Sequence, residues 1–190
     1  MPPKPKITKD MVIASGFDIV RNEGLESLNV RSIAAKLNCS TQPVMYHYKT
    51  VDELKADIYA AADGFHTEYI MCPNDAADPL LSIGLNYIRF AHEENHLFRF
   101  LFQSDKFRNI GFKELINGDE TASLLETVVQ QAGLDIEQAK TVFETLFICV
   151  HGYASLLANN SMEYNEEHCA ELLANTFTSI VGFIKRGEYK

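Results

Sequence analysis

The stretch Val30-Arg31-Ser32-Ile33-Ala34-Ala35-Lys36-Leu37-Asn38-Cys39-Ser40-Thr41-Gln42-Pro43-Val44-Met45-Tyr46-His47-Tyr48-Lys49 decides the fold. Val30, Ile33, Ala34 and Leu37 recur at i, i+3, i+4 and i+7, the period of a helix with one buried face. Asn29 stands ahead of them as an N-cap. Only Asn38–Cys39 separates this helix from the next, which begins at Ser40 and runs to about His47. Two short helices joined so tightly have helix-turn-helix geometry, in which the second helix lies in the major groove of DNA. Ser40 can cap that helix, and Pro43 is tolerated in a first turn whose amides lack intrahelical partners. Val44 and Tyr48, four apart, point inward. Thr41, Gln42, Tyr46 and His47 are left outward, with no carboxylate among them to repel phosphate. A plain helical hairpin with a polar outer face fits the same pattern.

Helical periodicity extends in both directions. Upstream, Val12, Gly16, Ile19 and Val20 share a face up to Gly24, a C′ glycine. Downstream, Asp52 opens a helix through Leu54 and Ile58 to about Ile70, and Cys72–Pro79 is a linker rich in Pro, Asn and Asp. Leu80, Gly84, Tyr87, Ile88 and Ala91 mark another helix, and the aromatic-rich Leu97–Phe112 holds a short helix and a turn. Three more follow: Glu120–Ala132 ending at Gly133, a helix capped by Asp135 and running to about Leu157, and Glu166–Lys185. With no β-alternation of useful length, the expectation is an all-α protein of about nine helices. A three-helix head over residues 1–50 would carry a helical body over residues 51–190.

Composition narrows the class. At 190 residues and 46% apolar, the chain can bury a generous core and is not globally disordered. The uninterrupted apolar runs are only a few residues long, which argues against a membrane span, and no signal peptide opens the chain. Four scattered cysteines without a C-x-x-C pair suit reduced thiols in a cytoplasm. The net charge of −9 argues against a nucleic-acid partner only on average. Residues 1–50, including Lys4, Lys6 and Lys9, hold seven basic and four acidic side chains, a charge of +3. The remaining 140 hold 10 basic and 22 acidic, a charge of −12. That asymmetry puts any polyanion at the N-terminal end, although short segments also fluctuate by a few charges.

The stretch Val12–Leu54 resembles the DNA-binding domain of tetracycline-repressor-type (TetR) transcriptional regulators. The resemblance lies in Val12-Ile13, Phe17-Asp18-Ile19-Val20 before Gly24, Val30-Arg31-Ser32-Ile33-Ala34, Leu37-Asn38-Cys39-Ser40, and Tyr48-Lys49-Thr50 ahead of Glu53-Leu54. Gly84–Ala91, Leu97-Phe98-Arg99 and Val150-His151-Gly152-Tyr153 more weakly resemble a C-terminal class of that family marked by Trp-His-Gly, with Val150 in the Trp position. The resemblance implies a cytoplasmic regulator, a repressor in most such proteins, that binds a palindromic operator as a homodimer and responds to a small molecule. It implies no enzyme activity, cofactor or metal.

Carried over by position, Asn29 and Arg31 fall where the family holds phosphate or a base at the start of the second helix. Ser40, Thr41, Gln42 and Pro43 fall at the start of the recognition helix, where Gln42 can read adenine and Pro43 can touch a thymine methyl. Tyr46, His47 and Lys49 fall at phosphate contacts. Met45 and Val51 depart from the family's usual Tyr and Lys, which removes two backbone contacts. Tyr87, Phe90, Phe98, Phe102, Phe147, His151 and Tyr153 are candidates to line a pocket for an apolar or aromatic effector; plain core packing suits the same residues. The last two long helices are expected to form the dimer interface.

A rival reading starts from His92-Glu93-Glu94-Asn95-His96, which satisfies H-E-x-x-H, a zinc-hydrolase signature with Glu93 as general base. Glu114 would be a third ligand. The motif requires both histidines on one helical turn, and Asn95 is expected to end the helix between them. His66 reads as a solvent-facing or interdomain residue.

Overall fold

The computed structural model describes residues 7–74, 76, 78–104 and 119–187. The arm Met1–Lys6 with its Lys4 and Lys6, the aromatic Phe107 and Phe112, and Glu114 lie outside them. The described residues form nine α-helices and one 3₁₀ turn and contain no strand. The helices are α1 (Lys9–Glu23), α2 (Val30–Lys36), α3 (Thr41–Met45), α4 (Val51–Met71), α5 (Pro79–Glu93), α6 (Asn95–Phe102), α7 (Asp119–Ala132), α8 (Ile136–Ala158) and α9 (Glu166–Lys185). The all-α expectation holds.

The chain divides into two compact units. The first takes in residues up to Thr67 together with those from Glu94 to Ser104; the second takes in Glu68–Glu93 and residues 119–187. In the first unit, Thr8 caps α1 by accepting from the Met11 amide, and α1 stops at Gly24, whose φ of 85° and ψ of 170° suit glycine and whose N–H donates to the Val20 carbonyl. Asn29 and Ser32 form a reciprocal capping box at α2. Val12, Val20, Ile33, Val44 and Ile58 are fully buried. Each contributes about 1.5–3 kcal/mol of apolar burial. Gly16 lets α1 pass close to Ile58, and α6 joins the same core through Leu97, Phe98, Phe100 and Leu101. A bidentate contact from the Arg21 guanidinium to the Glu94 carboxylate ties α6 to the end of α1, with Arg21 also 5.1 Å from the Phe65 ring centre. His66, read from sequence as solvent-facing or interdomain, is only 6% exposed and packs edge-on against Phe102 at 5.0 Å.

The second unit is built around α8. Val142, Leu146, Val150, Ala154 and Leu157 form its buried spine, and α5, α7 and α9 pack on it. Asp135 caps α8 in a second capping box, with Gln138. By length and composition alone α8 is apolar enough to cross a membrane, because apolar residues dominate it without forming one long run. It serves as the core helix here. Gly84 brings α5 against Leu173 of α9 and Val150 of α8. Asn86, 3% exposed, donates to the Ile70 and Cys72 carbonyls (3.2 and 2.7 Å) and accepts from Asn74 at 2.9 Å. That satisfies the amide and closes the α4–α5 linker.

Candidate functional site

The recognition segment folds as its polarity requires, but over a shorter span than expected. α3 ends at Met45, and the Tyr48 amide closes a tighter turn onto the Met45 carbonyl at 3.3 Å. The turn carries Tyr48 into the core at 7% exposure beside the fully buried Val44. Thr41, Gln42 and Lys49 are left exposed, and Tyr46 stands out at 82% exposure. Arg31 is exposed on the neighbouring α2. Ser40 occupies the N-cap position of α3 without a side-chain bond, so its hydroxyl is not engaged in capping. Pro43 is half-buried in the first turn. Asn29 is committed to α2: its side-chain oxygen accepts from the Arg31 and Ser32 amides, both at 3.0 Å, and its nitrogen donates to the Ser27 carbonyl.

His47 has a partner that sequence spacing did not suggest. Its Nε2 lies 3.0 Å from the Ile7 carbonyl, forty residues away, and a carbonyl only accepts, so Nε2 carries the proton. Nearby, Lys9 Nζ lies 2.6 Å from Asp57 Oδ2 and 5.4 Å from the centre of the Tyr48 ring. Lys9 holds the Asp57 carboxyl below its ordinary value, against the opposing effect of burial. Burial, reinforced by Asp57, pushes the Tyr48 phenol up.

The residues expected to line an effector site separate into groups. Tyr87, Phe147 and His151 meet in the second unit: the Tyr87 hydroxyl lies 2.9 Å from His151 Nδ1, and Phe147 stacks on the His151 ring at 5.7 Å. Phe90, fully buried, packs edge-on against Tyr69. Tyr153 faces His168 at 6.1 Å, and burial, helped by a hydrogen bond with Cys169, pushes its phenol up to about 12. Phe98 and Phe102 pair with each other in the first unit, 5.0 Å apart.

The H-E-x-x-H stretch does not lie on one helical turn. α5 ends at Glu93 and Glu94 breaks the helix at φ −117° and ψ 46°, one residue before the break expected at Asn95; α6 begins at Asn95. His92 stacks flat on Tyr164 at 4.8 Å, Glu93 accepts from the Tyr69 hydroxyl, and His96 lies beside Gly24. Among the described residues no three His, Cys, Asp or Glu side chains are grouped to hold a metal. These side chains do not fit a zinc centre.

Residues 80–178, from α5 into α9, match the family model described as the tetracyclin repressor-like C-terminal domain, just over half of the chain. The chain belongs to the tetracycline-repressor-like family. It is a transcription regulator of that family. A transcriptional regulator from Rhodococcus sp. Rha1 superposes with a TM-score of 0.61 and 17% identity, over 93% of this chain and 97% of that one. At that identity the likeness speaks for the fold. The multidrug binding protein EbrR, solved with imidazole, superposes with a TM-score of 0.48 and 16% identity, over 91% of this chain and 96% of its own. No curated protein matches the chain. Within this TetR-like chain the matched region holds Tyr87, Phe147 and His151, whereas the recognition segment lies upstream of it.

Proposed function

We propose that this TetR-like regulator binds a palindromic DNA operator as a homodimer through residues 1–50 and is released or modulated by a small molecule bound in the body, residues 51–190. The observation that carries the reading is the outer face of α3 and its following turn, where Thr41, Gln42, Tyr46 and Lys49 are exposed over the buried Val44 and Tyr48. In this reading Gln42, with Ser40, Thr41 and Pro43, faces base edges; Arg31, Tyr46 and Lys49 meet phosphate; and Asn29 fixes the start of α2.

Two further parts complete the proposal. Exposed apolar residues on the last two helices, Ile148 at 59%, Leu156 at 50% and Phe183 at 41%, support pairing with a second copy, which would set two heads about 34–36 Å apart for a palindrome. The Tyr87–His151 hydrogen bond with Phe147 stacked on it supports an effector that is apolar or aromatic and carries a polar group. An effector favouring one head spacing over another would shift the population away from the DNA-bound form. The protein would act in the cytoplasm, where its DNA lies.

The contact roles separate in binding assays across many sequences. Gln42→Ala changes which sequences are preferred, at about 1–3 kcal/mol for the affected base pair. Lys49→Ala weakens binding evenly on all sequences. The same sequence-selective loss in both variants would contradict the assignment.

A further inference from the structure

α3 cannot hold its own position. It is five residues long and has no side-chain cap, and isolated helices shorter than about 12 residues are marginal in water. Its place is set by the turn that follows it, which other elements fasten. The His47 Nε2–H donates to the Ile7 carbonyl at 3.0 Å, just ahead of α1. The Lys49 amide donates to Glu53 Oε2 of α4 at 2.8 Å. Between them Tyr48 runs inward to 7% exposure, while Tyr46 and Lys49 stay outside. In the neutral ring His47 Nδ1 is then an acceptor with no proton to offer a phosphate oxygen, so this residue serves the turn instead.

Tyr48 is where these elements converge. Its hydroxyl is buried with no well-aligned partner among the described residues. The acceptor that acts on it is the Asp57 carboxylate of α4. Burial and then Asp57 push the phenol up, and Lys9, helped by Tyr48, holds the Asp57 carboxyl down against burial. Lys9 of α1 completes the cluster, with Nζ 2.6 Å from Asp57 Oδ2 and 5.4 Å from the centre of the Tyr48 ring. One carboxylate thus engages both the first turn of α1 and the turn that ends α3. We propose that Asp57 is a positioning residue for DNA reading: through Tyr48 and Lys9 it holds α3, with the exposed Tyr46 and Lys49, in the arrangement that meets DNA, and it does not touch DNA itself. The proposal rests on the DNA-binding reading above. It has a sign of its own. Simple electrostatics says that removing a carboxylate from a DNA-binding head tightens binding, whereas removing this one weakens it.

The test is a salt titration of the full chain on a short duplex carrying the site that the protein selects from genomic DNA. It is run at a temperature where parent and variants show the same helical content. Asp57→Asn is expected to bind about tenfold more weakly, because a looser turn is less often in the binding arrangement. The slope of log K against log [salt] stays unchanged, since no phosphate contact is lost. Equal or tighter binding overturns the proposal. A lowered midpoint in denaturant with unchanged affinity also overturns it, because Asp57 would then support the fold alone. Tyr48→Phe tests the route in a double-mutant cycle. If Asp57 acts through the Tyr48 hydroxyl, Asp57→Asn loses less affinity in the Tyr48→Phe background, and strict additivity overturns that route. Lys9→Met is expected to weaken binding at an unchanged slope. A slope shallower by about 0.9 per head would make Lys9 a phosphate contact and overturn its place in the cluster. Failure of the unsubstituted chain to select any DNA overturns the DNA-binding reading itself, a result seen before any variant is compared.

Discussion

Gly24 shows what a single residue decides. Its φ of 85° and ψ of 170° lie in a region essentially reserved for glycine, and a Cβ there would also sit 3.1 Å from His96 Nδ1. Gly24→Ala should cost about 1–3 kcal/mol, read as a lowered midpoint in denaturant with an unchanged slope. Asp57 makes a prediction in pH. Lys9 lowers its folded pKa, so its contribution is full above the unfolded carboxylate value and is lost as pH falls through the folded one. Stability should therefore decline below about pH 4, and Asp57→Asn should flatten that part of the acid limb. An unchanged acid limb in the variant would remove the Lys9–Asp57 pair from the account. Gly24 was legible in the sequence because a glycine ending a helical period has a conformational meaning by itself. The contacts Lys9–Asp57, His47–Ile7 and Arg21–Glu94 were not. Periodicity reports which face a residue occupies, whereas these pairs depend on how elements forty or more positions apart come to lie together.

At the scale of the element, several helices were legible from their own punctuation: Asn29 and Asp135 as caps, and Gly24 and Gly133 with positive φ as stops. α3 was overextended because Tyr46 and His47 carry nothing that forbids a helix; burial of Tyr48 in a tighter turn ends it. The effector set was overdrawn for a related reason. Aromatic residues at helical spacing suit a core and a pocket equally, and Phe98 and Phe102 belong with the first unit rather than with Tyr87 and His151. The apolar face of α8 and α9 carries its own prediction. Ile148→Asp places a charge where pairing would desolvate it, so light scattering should show a dimer for the parent chain and a monomer for the variant, with unchanged helical content. A monomeric parent at micromolar concentration would contradict pairing through this face.

For the whole molecule, charge is spread unevenly along the chain. The +3 charge falls on residues 1–50 with the recognition segment, and the −12 charge falls on residues 51–190, within which residues 80–178 match the family's C-terminal domain. In the proposed reading, a basic head on an otherwise acidic chain would keep non-specific attraction to DNA modest and leave binding to contacts at the head. The most direct measurement of the central claim is selection of fragments from genomic DNA by the purified chain, followed by salt titration on the winning fragment. The account predicts a palindromic site with half-sites about one helical turn, or a multiple of it, apart, and an affinity that falls steeply with salt. No enrichment over random fragments would contradict it.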